Sequence, residues 1–338
     1  MMKIAVDAFG GDNAPFAVVE GCINALKQNE GFDIVFYGIE EEVLRELKKY
    51  EYDKSRVSVV NCTEVISCDE SPTMAIKRKK DSSMVRALQD VADKKADCII
   101  SAGSTGALLT GATLIVKRIK GIKRPALGTF LPNKNDGSVM LIDCGANTDC
   151  KPQYLLQFAI MADAYLKGVY SYKSPRIGLL NNGAESEKGN ELTKATYKLL
   201  EESDLNFVGN IEARDILADK TDILVCDGFD GNIVLKHTEG LAEIMISMLK
   251  TELMSRKLSK IGAALSRKAF KSFKKKLDYS EYGGAPLLGV NGTVIKAHGS
   301  SDAKAFSSAV KQAVKIVNGN VNKIIEDGIE NMPSDTGD

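Results

Sequence analysis

Short apolar runs rich in β-branched residues alternate with helical patterns along most of the chain, and this alternation constrains the fold more than any other feature. Nine runs are predicted strands: Lys3–Val6, Asp33–Tyr37, Val57–Asn61, Asp97–Ser101, Ala126–Phe130, Val139–Ile142, Arg176–Leu180, Asn206–Val208 and Ile223–Val225. The helical patterns between them include Phe16–Gln28, Glu41–Lys49, Met84–Lys94, Tyr154–Tyr165 and Glu191–Glu201. Such alternation is typical of strands joined by helical crossovers. We therefore predict a three-layer α/β/α fold with a mainly parallel sheet.

The alternation breaks at two places, which sets the predicted domain organisation. Residues 241–277 form a long helical region with a basic second half, predicted to be a protruding helical hairpin. The tail, residues 330–338, is polar and is predicted to be frayed. With 338 residues, 44% hydrophobic and 27% charged, the chain is long and apolar enough for a globular protein. We predict one large domain over residues 1–329, with a division into two lobes left open.

Charge and cysteine content narrow the function classes. Lys+Arg and Asp+Glu are each 45, so a globally basic nucleic-acid binder is disfavoured. The seven cysteines are odd in number and include no C-x-x-C pair, which favours a reducing cytoplasm over disulfides or structural zinc. The longest uncharged run, Cys98–Val116, contains Ser, Thr and Gly and makes a poor membrane span. We expect a soluble, cytoplasmic protein that needs no metal ion.

Six predicted strand ends, five of them among the runs above and the sixth at Ile295, are followed by polar, glycine-bearing segments. These segments read DAFGGDN, SAGSTGALLTG, DCGANTD, NNGAESEKGNE, CDGFDGN and KAHGSSD. Any one of them could be an ordinary turn, but ligands of open α/β sheets bind at the carboxyl ends of strands. Six such ends on one predicted edge favour a polar cleft for a phosphate-like anion, which backbone N–H groups can approach. No two of the 29 glycines are spaced G-x-G, so the dinucleotide fingerprint is absent.

The same segments resemble a known family. IAVDAFGGDNAP, ISAGSTGALLTGA, LIDCGANTDCKP, GLLNNGAESEKGN, DILVCDGFDGNIVLK and YGGAPLLGVNGTVIKAHGSSD, spanning residues 4–302, are similar to the bacterial phosphate acyltransferases of phospholipid synthesis. The resemblance implies a homodimer with a fold like the isocitrate and isopropylmalate dehydrogenases. It also implies transfer of a long-chain acyl group from acyl carrier protein to inorganic phosphate. A membrane acyltransferase would then use the acyl phosphate to acylate glycerol 3-phosphate.

This chemistry makes modest demands on the residues. Phosphate is itself the nucleophile, and a thiol of pKa about 8.5 leaves without strong acid help. The site must bind phosphate, align it with the thioester and stabilise the oxyanion, so no cofactor is expected. Lys188 is our first choice as cationic phosphate ligand, against a solvated surface lysine. Hydroxyl, amide or backbone donors are predicted at Gly103, Ser104, Thr105, Gly106, Asn147, Asn182 and Asn232, with plain helix capping the alternative for Ser104 and Thr105.

The histidines, aspartates and cysteines receive separate predictions. His298 could protonate the departing thiolate or bind phosphate with Gly299 and Ser300, and a structural role is nearly as well supported. His237 is predicted to be structural. Asp7, Asp143 and Asp227 each follow a strand and are predicted to orient Lys or Asn side chains, because carboxylates repel phosphate and a direct acid/base role is disfavoured. Covalent catalysis by Cys144 or Cys226 is disfavoured because each adjoins an aspartate, which raises a thiol pKa.

The basic hairpin predicts a membrane contact. Met254, Leu258, Ile261 and Leu265 form one apolar helical stripe, and Lys257 and Lys260 are among the basic residues on the other faces. Gly262 and the neighbouring small residues are the expected break between two helices joined at a tip. Basic amphipathic helices bind anionic membrane surfaces, so we expect peripheral association with the inner face of the cell membrane. A dimer core or a docking site for acidic carrier protein stays open.

Three rival functions remain at this stage. A phosphotransacetylase-like enzyme acting on coenzyme A thioesters would use identical chemistry. A dehydrogenase of the same fold class is not excluded, since some bind NAD without the G-x-G fingerprint. A non-enzymatic membrane scaffold would leave the polar strand ends unexplained.

Overall fold

The computed structural model describes residues 1–277 and 283–330, and its strands form one continuous sheet. The described residues contain eleven strands: β1 Met2–Asp7, β2 Phe32–Gly38, β3 Val57–Asn61, β4 Cys98–Ser101, β5 Ala126–Pro132, β6 Ser138–Ile142, β7 Ile177–Asn181, β8 Phe207–Glu212, β9 Ile223–Val225, β10 Ala285–Leu288 and β11 Thr293–Lys296. All nine strands predicted from apolar runs are present. β10 was not predicted.

The sheet is mainly parallel but changes direction in its middle. The strand order is β3-β2-β1-β4-β11-β10-β5-β6-β9-β7-β8. Neighbours from β3 to β11 are parallel, and so are neighbours from β6 to β8. The three pairings between these groups, β11–β10, β10–β5 and β5–β6, are antiparallel. The two parallel groups therefore run in opposite directions.

The described residues contain twelve α-helices, most of them between consecutive strands. They are α1 Phe16–Gln28, α2 Glu40–Leu47, α3 Pro72–Arg78, α4 Ser83–Ala92, α5 Thr105–Gly111, α6 Pro152–Tyr170, α7 Glu191–Glu201, α8 Gly228–Ser255, α9 Lys257–Leu265, α10 Arg267–Leu277, α11 Ala303–Asn318 and α12 Val321–Glu330. A π-helical segment, Ala112–Val116, extends α5. Two predicted helices, Phe16–Gln28 and Glu191–Glu201, have the observed bounds.

Alternate residues of each strand enter two separate hydrophobic cores. Ile4 and Val6 of β1 pack into one core, which contains α1, α6, α11 and α12, whereas Ala5 packs into the other, which contains α3, α4 and α5. In β9, Ile223 and Val225 face the first core and Leu224 the second. This period of two is what a sheet covered on both faces requires. The predicted three-layer arrangement is therefore present.

Helices α8–α10, which we call the helical arm (Gly228–Leu277), are largely exposed. Of residues 241–273, only Ala263 is buried. The arm breaks at Arg256, whose backbone is extended, and at Ser266. Gly262 itself lies inside α9, where an exposed helix tolerates one glycine, and the break falls at the nearby small residue Ser266. Near the end of α10, Lys276 pairs with Asp136 of the β5–β6 connection at 2.6 Å.

The last described helix ends beside the predicted domain boundary. Helix α12 ends at Glu330, the first residue of the predicted tail. The rest of that tail, residues 331–338, lies outside the described residues. The single domain over residues 1–329, the two-lobe alternative and the hairpin's protrusion stay predictions.

Candidate active site at the strand ends

The six polar strand ends form two clusters and not one. Strands β1, β4 and β11 are parallel neighbours, and the loops after them make the first loop cluster (7–13, 101–106 and 296–302). Strands β6, β9 and β7 run in the opposite direction, and the loops after them make the second loop cluster (143–151, 226–232 and 181–190). The prediction that all six share one edge is wrong. The antiparallel pairings of β10, β5 and β6 reverse the strand direction between the clusters.

A buried carboxylate organises the first loop cluster. Asp7 accepts hydrogen bonds from the hydroxyls of Ser83 and Ser101, each at 2.6 Å. The Ser101 hydroxyl in turn accepts from the backbone N–H of Gly103 at 3.0 Å. Burial raises the pKa of Asp7, and the hydrogen bonds from the two serines oppose that rise. Asp7 therefore holds the turn after β4 in place through serine hydroxyls, and the predicted orientation of a Lys or Asn side chain by Asp7 stays a prediction.

Glycines allow the loops of this cluster to pack backbone against backbone. A Cβ atom at Gly10 would lie 2.6 Å from the backbone nitrogen of Gly103. Gly11 has φ +96°, and a Cβ atom there would lie 2.8 Å from the carbonyl oxygen of Gly299. The Asp12 N–H donates to that same carbonyl at 2.8 Å. The three loops thus form one compact unit, and any residue other than glycine at positions 10 and 11 would clash with a neighbouring loop.

The turn before α5 serves mainly as a cap. Ser104 is the N-cap residue, and its hydroxyl accepts from the Ala107 N–H at 3.4 Å. Ser104 is buried, whereas Thr105 is exposed. Gly106 lets the helix approach Pro72, whose Cγ would lie 2.7 Å from a Cβ atom. The capping interpretation therefore holds for the Ser104 side chain, and Thr105 is the exposed hydroxyl of this turn.

The loop after β11 presents an imidazole in a defined tautomer. The Ser300 backbone N–H donates to His298 Nδ1 at 3.3 Å, and the Ser300 hydroxyl lies 2.8 Å from the same nitrogen. Because a backbone N–H can only donate, Nδ1 accepts and the proton of neutral imidazole lies on Nε2. Desolvation, then the positive charges of Lys236 and Lys296, lower the pKa of His298. His298 is therefore a neutral donor at physiological pH.

Lys296 is a functional candidate that sequence reasoning missed. It ends β11, is partly buried, and its Nζ donates to the carbonyl oxygens of Ala102 (3.2 Å) and Ala297. Burial lowers its pKa to about 8. The only signal in the sequence was a lysine at the end of an apolar strand, two residues before His298.

The second loop cluster is also built around a buried carboxylate. Asp143 accepts from the backbone N–H groups of Leu127 (2.9 Å), Ala146 (3.2 Å) and Asn147 (2.6 Å). It also accepts from the Asn147 side chain at 2.9 Å, and that amide donates its other hydrogen to Pro125 O at 2.8 Å. Burial raises the pKa of Asp143. Both donors of the Asn147 amide are thus engaged within the chain, and its role as a phosphate donor stays a prediction.

The first turn of α8 lies against this loop. Asp227 is the N-cap residue and accepts from the Asp230 N–H at 2.8 Å. A Cβ atom at Gly231 would lie 1.9 Å from the carbonyl oxygen of Asp143, so the helix needs glycine there. Asn232 is exposed and lies over Gly145, whose Cβ position would be 3.7 Å from Asn232 Oδ1. Asp227 is therefore a capping residue, whereas Asn232 has an accessible side chain.

Lys188 and Asn182 lie on the loop after β7, and both are exposed. Asn181, which is buried, shapes this loop by donating to Lys188 O at 3.1 Å and accepting from the Asn182 N–H at 2.8 Å. Five strand positions separate β7 from β11, about 24 Å at the usual strand spacing. Lys188 and His298 therefore lie on loops of different strand groups, and their joint action in one site stays a prediction.

Two thiols near the second loop cluster are unsuited to nucleophilic attack. The Cys144 thiol donates to Leu127 O at 3.1 Å and the Cys226 thiol to Asp143 O at 3.4 Å, and both are buried. Burial, then the charge of Asp143, raises the pKa of each thiol well above its ordinary value. Because thiolate is the reactive form, these surroundings agree with the expectation that neither forms an acyl-enzyme.

Helix α8 has residues close to both loop clusters. It begins in the second loop cluster, and two turns later Lys236 and Glu239 pair at 2.7 Å. Both charges act on His298 of the first loop cluster and on Cys144 of the second. A small cavity of about 10 Å³ lies between the two loop clusters. It is lined by Ala146 of the second cluster, by Thr105 and Lys296 of the first, and by Leu108, Leu109, Leu127 and Leu287.

Comparison with known proteins places the chain in a family. The family described as "Fatty acid synthesis protein" matches residues 2–324. The phosphate acyltransferase of Clostridium novyi (strain NT) is 54% identical over 324 residues, which are 96% of this chain and 97% of the relative. The chain belongs to the phosphate acyltransferase family. The phosphate acyltransferase of Clostridium botulinum (strain Loch Maree / Type A3) is also 54% identical, over 98% of both chains.

Solved structures of low sequence identity share the fold of this phosphate acyltransferase. A phosphotransacetylase from Streptococcus pyogenes has a TM-score of 0.61 at 20% identity, covering 95% of this chain and 94% of that chain. A 4-hydroxythreonine-4-phosphate dehydrogenase from Klebsiella pneumoniae has a TM-score of 0.53 at 14% identity, covering 94% and 99%. At these identities the likeness concerns the fold alone. The finer likeness to isocitrate and isopropylmalate dehydrogenases stays a prediction.

Proposed function

We propose that this phosphate acyltransferase moves a long-chain acyl group from the thioester of acyl carrier protein to inorganic phosphate. The observation that carries the proposal is the 54% identity to phosphate acyltransferases over nearly the whole chain. The matched family, whose description concerns fatty acid synthesis, favours a fatty acyl donor. The product, an acyl phosphate, would serve a membrane glycerol-3-phosphate acyltransferase.

The chemistry requires positioned donors and no covalent enzyme intermediate. An oxygen of phosphate attacks the thioester carbonyl carbon, the tetrahedral oxyanion collapses, and the C–S bond breaks to release the carrier thiolate, which takes up a proton. The Nε2–H of neutral His298 suits donation to the oxyanion or the departing sulfur. Gly299, Ser300, Thr105, Gly103 and Gly106 are proposed as the surrounding donors of the first loop cluster.

Lys188, Asn182 and Asn232 stay proposals for substrate contacts from the second loop cluster. All three side chains are exposed, so they are accessible to an anionic ligand. Lys188→Ala is expected to raise the KM for phosphate, whereas a solvated surface lysine would leave the kinetics at their wild-type values. The matched control is Lys198→Ala on the neighbouring helix α7.

A second copy of the chain is the proposed partner of helix α8. Leu241, Met245 and Met248 recur at helical spacing on one face, and each is about half exposed or more. An apolar stripe of this kind is typical of a helix that packs against another helix. A homodimer in solution supports the proposal, and Met245→Glu with Met248→Glu should yield monomers by size exclusion with light scattering.

The basic part of the helical arm is proposed to bind the anionic inner face of the cell membrane. No helix in the described part of the chain is long and apolar enough to cross a bilayer. On α9, Leu258, Ile261 and Leu265 are strongly exposed, and exposed Lys257 and Lys260 lie beside them. Apolar insertion and attraction to anionic lipid would act together. The enzyme would thus be cytoplasmic and peripherally attached, close to the membrane consumer of its product.

The deciding experiment incubates purified enzyme with palmitoyl-acyl carrier protein and phosphate and follows the release of free carrier thiol. Release that requires phosphate, together with acyl phosphate as product, supports the proposal. Release without phosphate would indicate a thioesterase instead. A higher kcat/KM with palmitoyl-coenzyme A would favour a phosphotransacetylase-like enzyme, and the absence of any release would leave the scaffold function.

A further inference from the structure

Lys296 carries a positive charge that the described structure does not neutralise. Its Nζ donates only to the carbonyl oxygens of Ala102 and Ala297. Among residues 1–277 and 283–330, no carboxylate forms an ion pair with it. A partly buried ammonium without a counter-ion is costly, so the protein retains it at a cost in stability.

The charged and titratable groups that face Lys296 do not supply a counter-ion. Asp7 of β1, Asp12 of the following loop and the thiol of Cys68 act on it at a distance. The Asp7 carboxylate is already occupied by the hydroxyls of two serines. Lys236 of α8 and His298 of the same loop add further positive or neutral groups.

Lys296 lies at the junction of the two loop clusters. Its side chain lines the small cavity together with Thr105 of α5 and Ala146 after β6, where the two loop clusters approach each other. It also precedes by two residues His298, whose neutral imidazole carries its proton on Nε2. An anion bound to Lys296 would therefore be held by the same short segment as the proposed donor to the oxyanion.

We propose that the ammonium group of Lys296 is a ligand of inorganic phosphate, an assignment that rests on the proposed function. The phosphate dianion would place a negative charge in direct contact with Lys296, whereas Asp7 and Asp12 act on it only from a distance. The lysine in turn fixes the nucleophile beside His298 and Ser300. This role is separate from that of Lys188, whose loop lies at the end of a strand five positions away.

The assignment predicts that phosphate binding depends on the protonation of one amine. Burial lowers the pKa of Lys296 to about 8, and a bound dianion favours the ammonium form and raises it again. A return to the ordinary value of 10.5 would correspond to a roughly 300-fold preference of phosphate for the protonated lysine. Phosphate itself is already mainly dianionic above pH 7.5, so its own titration contributes little there.

The test measures the KM for phosphate between pH 7.5 and 9.5 in wild type, Lys296→Arg and Lys296→Met. Wild type should lose affinity by roughly 20-fold over this range as the amine deprotonates. Lys296→Arg keeps its charge, so its KM should stay flat with pH. Lys296→Met should raise the KM at pH 7.5 at least tenfold and leave the KM for the acyl donor within about twofold. Lys27→Met, at an exposed position of helix α1, is the matched control, and Cys68→Ser removes the facing thiol.

Phosphate binding without an acyl donor separates this inference from the proposed function. Phosphate should raise the Tm of the wild type and leave that of Lys296→Met unchanged. Phosphate-dependent stabilisation of the wild type without acyl transfer would refute the proposed function and keep the Lys296 site. A wild-type phosphate KM in Lys296→Met, or a KM in the wild type that is flat with pH, would overturn the inference. So would a rise confined to Lys188→Ala.

Discussion

Two substitutions on helix α9 should detach the enzyme from membranes without touching the strand-end clusters. Leu258 is 84% exposed and Ile261 is 59% exposed in the protein. Neither side chain contributes to the two cores. The double variant Leu258→Glu/Ile261→Glu therefore removes apolar surface that only an external partner could bury.

The size of the effect follows from those exposed fractions. Full burial of a Leu or Ile side chain stabilises by about 1.5–3 kcal/mol, so the exposed portions of both are worth about 2–4 kcal/mol. At 1.4 kcal/mol per tenfold change, the loss of membrane affinity is roughly 30- to 700-fold. Two carboxylates facing an anionic surface add repulsion to this value.

Co-sedimentation with anionic vesicles measures the effect directly. The double variant should stay in the supernatant under conditions that pellet the wild type, and both should show equal activity on soluble acyl donor. Leu44→Glu/Leu114→Glu, which changes exposed residues outside the arm, should sediment like the wild type. Equal sedimentation of the α9 variant and the wild type would refute the reasoning. A selective rise in the KM for acyl carrier protein would instead assign the surface to the carrier.

Three further predictions concern buried groups. Burial raises the pKa of Asp7 above its ordinary 3.8, so its protonated form stabilises the fold most below pH 3.8 and this contribution is lost as pH rises through the raised value. The stability of wild type relative to Asp7→Asn in urea should accordingly fall with rising pH. Asp143→Ala leaves four donors without an acceptor and should cost at least about 3 kcal/mol of unfolding free energy, against a smaller loss for Asp227→Ala, which removes a single partly buried cap. Cys144→Ala and Cys226→Ala should keep kcat within about threefold and show no acyl adduct by mass spectrometry, whereas a loss of activity to background would restore covalent catalysis.

Most strands and several helices could be predicted from the sequence, because the apolar periods that mark them are local. It was insufficient for strand direction, which depends on how connections pair in space. β10 was missed because Gly283, Gly284 and Pro286 made its surroundings look like a turn. That omission hid the antiparallel pairings, and the six strand ends were consequently placed on one edge.

At the site too, some roles could be predicted from the sequence and others could not. Asp7, Asp143 and Asp227 could be recognised as supporting residues, because a carboxylate after a strand or before a helix has few other uses. The engagement of Asn147 with Pro125 could not be predicted, since it joins positions 22 apart through a loop fold. Lys296 escaped notice because partial burial without a counter-ion is a property of the assembled tertiary structure.

The reversal in the middle of the sheet has a mechanical consequence. β10 and β5 share two register pairs, Leu287–Leu127 and Leu288–Ala126, whereas the other neighbouring strands share three or more. Bending at this seam would disturb the fewest ladder hydrogen bonds. The halves of the protein that carry Lys296 and Lys188 meet there, so we expect any relative movement of the two halves to take place at this seam.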